Sequence, residues 1–369
     1  MKKKLLILAL AILTMVLLGC AKQPAAEAKK EAGQGQEKPL ASTGKVIKWS
    51  FFSAYGPEDG ACCEVWPRLF QEIKEATGGQ LEITAFWSGQ HPFEGKDMLK
   101  VIRDGEAQLV HFYGGYLTAV EPVFGVDAIP MLLPVDPMDA FKVISALWGN
   151  YSQDRGGVLE DILESRWNAS MIHMVPASAQ RFFTKGYEAK GIGAFKGHKV
   201  RVYSPELAKL VEIMGGTPVS VAFGEVYTSL STNLIDGLVT STLFANSGGF
   251  FDICNTINMW EIMSATDGLM VGKKALADLP GEVRAVFLKI MHDSAVKPEL
   301  LELTDNAMVL EKRLLSGKVK AFVPKEEERN KVAAAVEKEI WNPWINKVGE
   351  EGKKVLKQVD EVKAGLKKK

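Results

Sequence analysis

Residues 197–216 read GHKVRVYSPELAKLVEIMGG, and few stretches leave a chain less conformational freedom. Val200 and Val202 flank Arg201 with the period of a strand, so the valines face one way and the arginine the other. Ser204 is a good N-cap and Pro205 suits the first helical position. Leu207, Leu210, Val211 and Met214 then recur at helical spacing, and Gly215-Gly216 stops the run. The same strand-to-helix alternation recurs along the chain. Strands are expected at 46–52, 80–87 and 107–112, and helices at 58–76, with a candidate kink at Pro67 and a stop at Gly78-Gly79, and at 96–104. Strand and helix alternate again from Ser170 to Asp236. This is α/β patterning, and it predicts parallel sheets, twice over. After Asp278 helices dominate, at 280–291, 299–315 and from Glu326 to a solvated basic end at Lys367–Lys369. One short strand at 318–323 interrupts them.

The first residues follow a different logic. MKKK precedes an apolar run from Leu5 to Leu18, broken only by Thr14. That run is shorter than the roughly 20 residues a membrane span requires, and it fits a signal peptide over residues 1–19. It ends in Leu17-Leu18-Gly19-Cys20, which resembles the bacterial lipobox. The resemblance implies cleavage before Cys20 and lipid attachment to its thiol; the alternative is a plain secretory signal beside a chance cysteine. Residues 21–43 hold almost no large apolar side chain and cannot bury enough surface to offset ordering. Residues 20–43 therefore read as a flexible tether, spanning about 29 Å.

Composition excludes several classes. Lys+Arg and Asp+Glu balance at 45 each, 47% of residues are hydrophobic, and no basic excess points to nucleic acid. Beyond Cys20 there remain Cys62, Cys63 and Cys254, too few for a closed disulfide framework. Cys62 shares a helical face with Trp66, Leu69 and Ile73, which reads as a buried free thiol. No Cys/His spacing suggests zinc. There is no GxSxG, HExxH or GxxxxGK[ST]. The run GIGAFKG, 191–197, mimics a dinucleotide fingerprint but precedes a strand instead of following one. The five histidines are scattered. A binder without catalytic residues, cofactor or metal is the expectation.

Arg201 stands near the carboxyl end of its strand, three residues before a helix N-terminus. Ligands of open α/β sheets sit at that edge, and helix N-termini favour anions. A guanidinium adds a planar fork that matches a carboxylate. On these residues alone, an anion seat and an arginine paired with an internal acid both fit. Arginines stay protonated, so they suit holding an anion without reacting with it.

Several motifs together resemble the periplasmic substrate-binding subunits of TRAP transporters, the DctP family: ATGGQLEITAFWSGQ, GEAQLVHFYGGYLTAVEPVFGVDAIPMLLP, AFKGHKVRV and VSVAFGEVYTSLSTNLIDG. The resemblance runs from about Lys45 to the C-terminal helices. It implies an α/β, two-lobed periplasmic-binding-protein fold with a hinge and a long connecting helix. Lobe I is then 44–177 with 265–305, and lobe II is 178–264 with 306–369, including the C-terminal helices. It also implies that Arg201 clamps a substrate carboxylate, that Arg181 in SAQRFFTK is a second arginine at the ligand, and that Phe223 is a cleft aromatic. Sialic-acid-binding members carry polar or acidic groups where this chain has Phe52, Phe112 and Tyr113. Many members have Gln, Glu or Asn after the Asp-Gly pair, where this chain has Leu238-Val239-Thr240. An aromatic cleft with Thr240 favours an aromatic or apolar monocarboxylate or a 2-oxo acid over a polyol; the alternative is that about half of these aromatics are plain lobe core. A dicarboxylate or sulfonate is the alternative ligand, and a ligand-presenting sensor is the alternative role. Glu94, in a loop with His91 and Phe93, stands at the expected cleft mouth, as a ligand contact or a solvated loop acid; Trp87 is as open. The implied partners are the small and large membrane subunits of a sodium-coupled permease. The implied location is the extracytoplasmic face, anchored through Cys20.

Overall fold

The structure, a computed structural model, describes residues 39–42, 44–57, 61–134, 136–149, 157–176, 178–264, 266–294 and 307–366. The signal peptide, Cys20, most of the tether, residues 299–306 of an expected helix and Lys367–Lys369 lie outside the described residues, as do the side chains of Cys62 and Cys63. Residues 39–42, expected in the tether, belong to the folded body. Leu40 donates its N–H to Ala76 O at 2.9 Å, and Gln80 Nε2 donates to Ala41 O at 3.1 Å.

Five strands form the first sheet: β1 (Ile47–Phe52), β2 (Leu81–Phe86), β3 (Leu109–Tyr113), β4 (Ala169–Pro176) and β10 (Thr266–Gly272), in the order β2-β1-β3-β10-β4. Six form the second: β5 (Gln180–Thr184), β6 (Lys199–Val202), β7 (Thr217–Ser220), β8 (Gly237–Thr240), β9 (Thr256–Met263) and β11 (Lys320–Phe322), in the order β11-β9-β5-β8-β6-β7.

Both sheets are mixed, not parallel throughout as the alternation predicts. β10 runs antiparallel to β3 and β4, and β5 runs antiparallel to β8 and β9; the other pairings are parallel. The cause is the way the chain changes sheets. β4 leaves the first sheet at the edge where β1 and β3 also end, and after residues 177–179 it becomes β5. A strand arriving across the gap must start at the facing edge of the new sheet and run away from it. β9 returns to β10 through residues 264–265 under the same constraint. A hydrophobic pattern carries no direction, so sequence alternation cannot reveal this.

Each sheet is covered on both faces. In β5, Phe182 packs into the core with Phe195, Val200 and Leu210, while Phe183 faces Leu230, Leu238 and Phe251. The helix Ala61–Ala76 buries Trp66, Phe70 and Ile73 against Phe51, with edge-on ring contacts at 5.2 and 5.3 Å. Behind the sheets a helical run extends from Glu326 to Val348, with a π turn at Glu337–Trp341. Its start packs on helix Pro205–Ile213 of the second lobe. Trp341 and Trp344 then donate their indole N–H groups to Pro130 O and Pro122 O of the first, at 2.9 and 2.8 Å. Gly349 (φ 70) turns the chain, and helix Glu350–Leu366 lies on the first lobe through Val355, Val359 and Gln358. The C-terminal helices thus join the two lobes instead of belonging to the second alone.

Candidate functional site

Between the carboxyl ends of β3, β6 and β8 lies an inner cavity of about 20 Å³, lined by residues of both lobes. Arg201, Tyr203, Gln180, Phe223, Thr240, Ser241 and Phe244 come from the second lobe; Tyr55, Tyr113, Tyr116 and Asp267 come from the first. Tyr116, Arg201, Tyr203 and Phe223 also line a wider outer cleft of about 460 Å³, which includes Phe93, Glu94 and Lys96.

Arg201 is 2% exposed. The alternation of β6 turns it away from Val200 and Val202, and its partners are main-chain carbonyls of neighbouring strand ends. Nε donates to Val221 O at 3.0 Å and Nη1 to Val239 O at 3.3 Å. The guanidinium carbon stands 5.0 Å from the centroid of the Tyr203 ring. Among the described residues no carboxylate forms an ion pair with Arg201. Ser204 caps helix Pro205–Ile213 by accepting from Leu207 N at 3.2 Å, as the sequence predicts.

Arg181 is held differently. It is 6% exposed, donates from Nη1 to Thr242 Oγ1 at 2.9 Å, and pairs through Nη2 with Glu261 at 3.1 Å. It is not among the residues lining the inner cavity. Glu261 sits at φ 49, where the β5–β9 register shifts between Gln180 and Phe182. The expected second ligand arginine is thus occupied by an acid of its own.

Neither Phe112 nor Phe52 lines the inner cavity: Phe112 is lobe core, and Phe52 is half-buried against the edge of that core. Phe112 packs edge-on against Trp148 at 5.2 Å and Phe124 at 6.2 Å. Side chains alternate along a strand, so Phe112 and Tyr113 cannot share a face, and Tyr113 is the one that lines the cavity. Phe52 stacks on His91 at 4.7 Å and meets Phe86 and Phe93. His91 in turn bonds Ser53 O at 2.8 Å. Trp87 packs edge-on to Phe51. Glu94 lines the outer cleft but is exposed and paired with Lys96 at 2.7 Å. Phe223 and Thr240 line the inner cavity as expected, Phe223 with its ring edge-on to Phe244.

The lobes meet through hydroxyls. Tyr203 donates to Gln180 Oε1 at 3.1 Å, and Tyr113 Oη lies 2.9 Å from Tyr203 Oη. The single Tyr203 hydrogen is committed to Gln180, so Tyr113 donates across the gap. Burial, and for Tyr113 also the neighbouring Tyr203 and Asp267, pushes both phenols above their ordinary range, so both keep their protons. Below them Asp267 Oδ1 lies 2.7 Å from His111 Nε2, both side chains fully buried. Asp127, close by, accepts from Thr266 N and Oγ1, and burial pushes its carboxyl up to about 7.

Sequence reasoning passed over Tyr55, Tyr116, Gln180, Tyr203, Ser241, Phe244 and Asp267. Tyr203 carried a usable signal, since two residues beyond Arg201 the strand period returns to the same face. Asp267 carried none; it arrives by register, opposite Tyr113 in the β10–β3 pairing.

The arrangement offers one cation, one carboxylate and several hydroxyls in a small crevice between two lobes. Among the described residues no group of three or more His, Cys, Asp or Glu side chains is placed to hold a metal ion. Comparison with known proteins bears on the whole body. The model of a family described as bacterial extracellular solute-binding protein, family 7 (DctP), matches residues 63–346. The ectoine/5-hydroxyectoine-binding periplasmic protein UehA of Ruegeria pomeroyi is 25% identical over 308 residues, covering 80% of this chain and 85% of that one. A solute-binding protein of Chromohalobacter salexigens is 22% identical over 268 residues, 71% of this chain and 75% of its own. In fold, the chain resembles DctP6, a Bordetella pertussis extracytoplasmic solute receptor binding pyroglutamic acid, with TM-score 0.77 at 20% identity, covering 85% of this chain and 100% of that one. A TRAP periplasmic solute-binding protein from Desulfovibrio salexigens with bound orotic acid gives TM-score 0.75 at 18% identity, covering 86% and 98%.

Proposed function

This chain belongs to the bacterial extracellular solute-binding proteins of family 7, the DctP family of TRAP transporter receptors, and on that premise we propose that it captures a small organic acid in the crevice under Arg201. Members of the family are extracytoplasmic binding proteins, not enzymes. One observation carries the reading: a buried guanidinium on the cavity wall, oriented by two neutral carbonyls and unpaired with any described acid. Carbonyls fix the direction of the fork without cancelling its charge, so an arriving carboxylate finds a preorganised cation.

The ligand is a compact anion. Pyroglutamic acid and orotic acid, bound by two receptors of the same fold, are rings bearing one carboxylate. The expectation of an aromatic or apolar monocarboxylate or a 2-oxo acid keeps the support of Phe223, Phe244 and the tyrosine faces. It loses that of Phe52 and Phe112. An inner cavity of about 20 Å³ has room for roughly one water, so an organic acid enters only when the lobes part. The Tyr113–Tyr203 hydrogen bond is then the cross-lobe contact that ligand replaces or reshapes. The loaded receptor delivers its acid to a sodium-driven permease of one small and one large membrane subunit, from a lipid anchor on Cys20. A thermal-shift screen over organic acids tests the capture step. A ligand at about 100 times its dissociation constant stabilises the fold by roughly 2.7 kcal/mol. If none of the aromatic acids, 2-oxo acids, hydroxy acids, lactam acids, dicarboxylates and sulfonates moves the midpoint, the organic-acid reading is wrong.

A further inference from the structure

The crevice holds a second built feature that a simple anion seat does not use. Asp267 is the second residue of β10, just after the chain recrosses from the second lobe, and it lines the inner cavity that Arg201 lines from the other side of the gap. It is 1% exposed. Its Oδ1 is committed to His111 Nε2 at 2.7 Å; a carboxylate only accepts, so Nε2 carries the hydrogen. Its Oδ2 is buried without any hydrogen-bond partner. Buried carboxylate oxygens are rarely left so, because stripping water from one without a replacement donor is costly. Nearby, Tyr113 donates to Tyr203, Tyr203 to Gln180 Oε1 and Gln180 Nε2 to Ser178 O, while Ser241 Oγ accepts from Phe244 N; none of these bonds reaches Oδ2. Asp267 and Arg201 do not pair with each other, although they share the cavity.

We propose that Asp267 is a specificity-determining residue that accepts a hydrogen bond from the ligand, so that the preferred solutes are monocarboxylates carrying an N–H or O–H donor. The assignment rests on the organic-acid reading above and narrows it. Such a solute gives its carboxylate to Arg201 on one lobe and its donor to Asp267 on the other, and so ties the lobes together. A 2-oxo acid offers only acceptors to Oδ2, and a dicarboxylate brings a like charge against it; both are disfavoured. His111 is the positioning residue that holds the carboxylate with Oδ2 free.

Calorimetric titration of the wild-type chain with matched acids tests this. The first pair is 5-oxopyrrolidine-2-carboxylate, a lactam with N–H, against its ring-oxygen lactone. The second is 2-hydroxy-3-methylbutanoate against 2-oxo-3-methylbutanoate, and succinate is the dicarboxylate. The donor-bearing member of a pair is expected to bind at least tenfold tighter than its partner, and Asp267→Asn to shrink that gap below about threefold while the donorless acid changes little. Equal binding within both pairs, a preference for the donorless acids, or succinate as the best ligand overturns the Asp267 assignment and leaves the organic-acid reading standing. If the variant does not fold, the wild-type preferences alone decide the matter. A wild-type chain that binds no acid of the thermal-shift screen removes the organic-acid reading itself, and this assignment with it.

Discussion

Replacing Arg201 by lysine separates the charge of the site from its geometry. The guanidinium has five N–H donors in a fixed plane. Two serve Val221 O and Val239 O, which leaves the outer edge of the fork for a guest. A lysine ammonium preserves the charge but has one nitrogen. It cannot reach the carbonyls of two strand ends and present a planar pair of donors at the same time. For the ligand, breaking a desolvated charge-assisted contact costs about 2–5 kcal/mol, or roughly 30-fold to several-thousand-fold in dissociation constant. For the fold, each buried carbonyl left without a donor costs about 1–3 kcal/mol. Both effects are expected in Arg201→Lys, and they are measured apart. Urea unfolding without ligand reads the carbonyls, and calorimetry with the best acid from the screen reads the clamp. Arg201→Ala removes the plane and the charge together and is expected to bind no better than the lysine variant. A lysine variant that binds within about threefold of wild type refutes the bidentate clamp. An alanine variant that does so refutes Arg201 as the anion seat.

Cys20→Ser is expected to move the protein from the membrane fraction to the soluble one; a variant that still pellets with membranes rules out the lipid anchor. Two buried groups, Asp127 and His173, set opposing pH slopes. Burial, with the nearby Asp267, raises the Asp127 carboxyl to about 7 against the hydrogen bonds from Thr266, so its contribution to stability falls as pH rises from about 4 to 7. Burial lowers the His173 imidazole to about 4, so its contribution is full above about 6.5 and is lost as pH falls toward 4. Each slope is about 1.4 kcal/mol per pH unit, and between pH 4 and 6.5 they cancel. Relative to wild type, Asp127→Asn is expected to lose stability on acidification through that window and His173→Leu to gain it, read from urea midpoints against pH; parallel profiles for the three proteins would refute the assignment.

The sequence made the local units legible and left the long-range pairings hidden. The stretch from Val200 to Gly216 contains its own strand period, cap and stop, and it folds as read. Of the aromatics that the sequence leaves between cleft and core, Phe112 and Tyr113 are separable by period two, which sends Phe112 into the Trp148 core and leaves Tyr113 in the crevice. The position of Phe52 is less readable, because its partner His91 lies beyond the next strand. The reversed directions of β5 and β10 were not legible at all, since they follow from which edge the chain enters. Asp267 depends on that reversal, for only the antiparallel register of β10 puts it opposite Tyr113. Leu40 was assigned to the tether on composition, and a single apolar residue in a polar run was enough to dock it.

The two arginines show how one sequence signal can end in two different environments. Both stand on strands of the second sheet near the crevice and both are almost completely buried. Arg181 has Glu261 at 3.1 Å, so its charge is balanced before any ligand arrives. A solute carboxylate would have to displace that half-buried acid from a cation whose charge it already balances. Arg201 has dipoles in place of an acid. They lower the cost of burying the cation without removing its field, and no partner must leave when an anion enters. The sequence shows two arginines; the partner on each, one acid against two carbonyls, leaves only Arg201 with an unbalanced charge among these two.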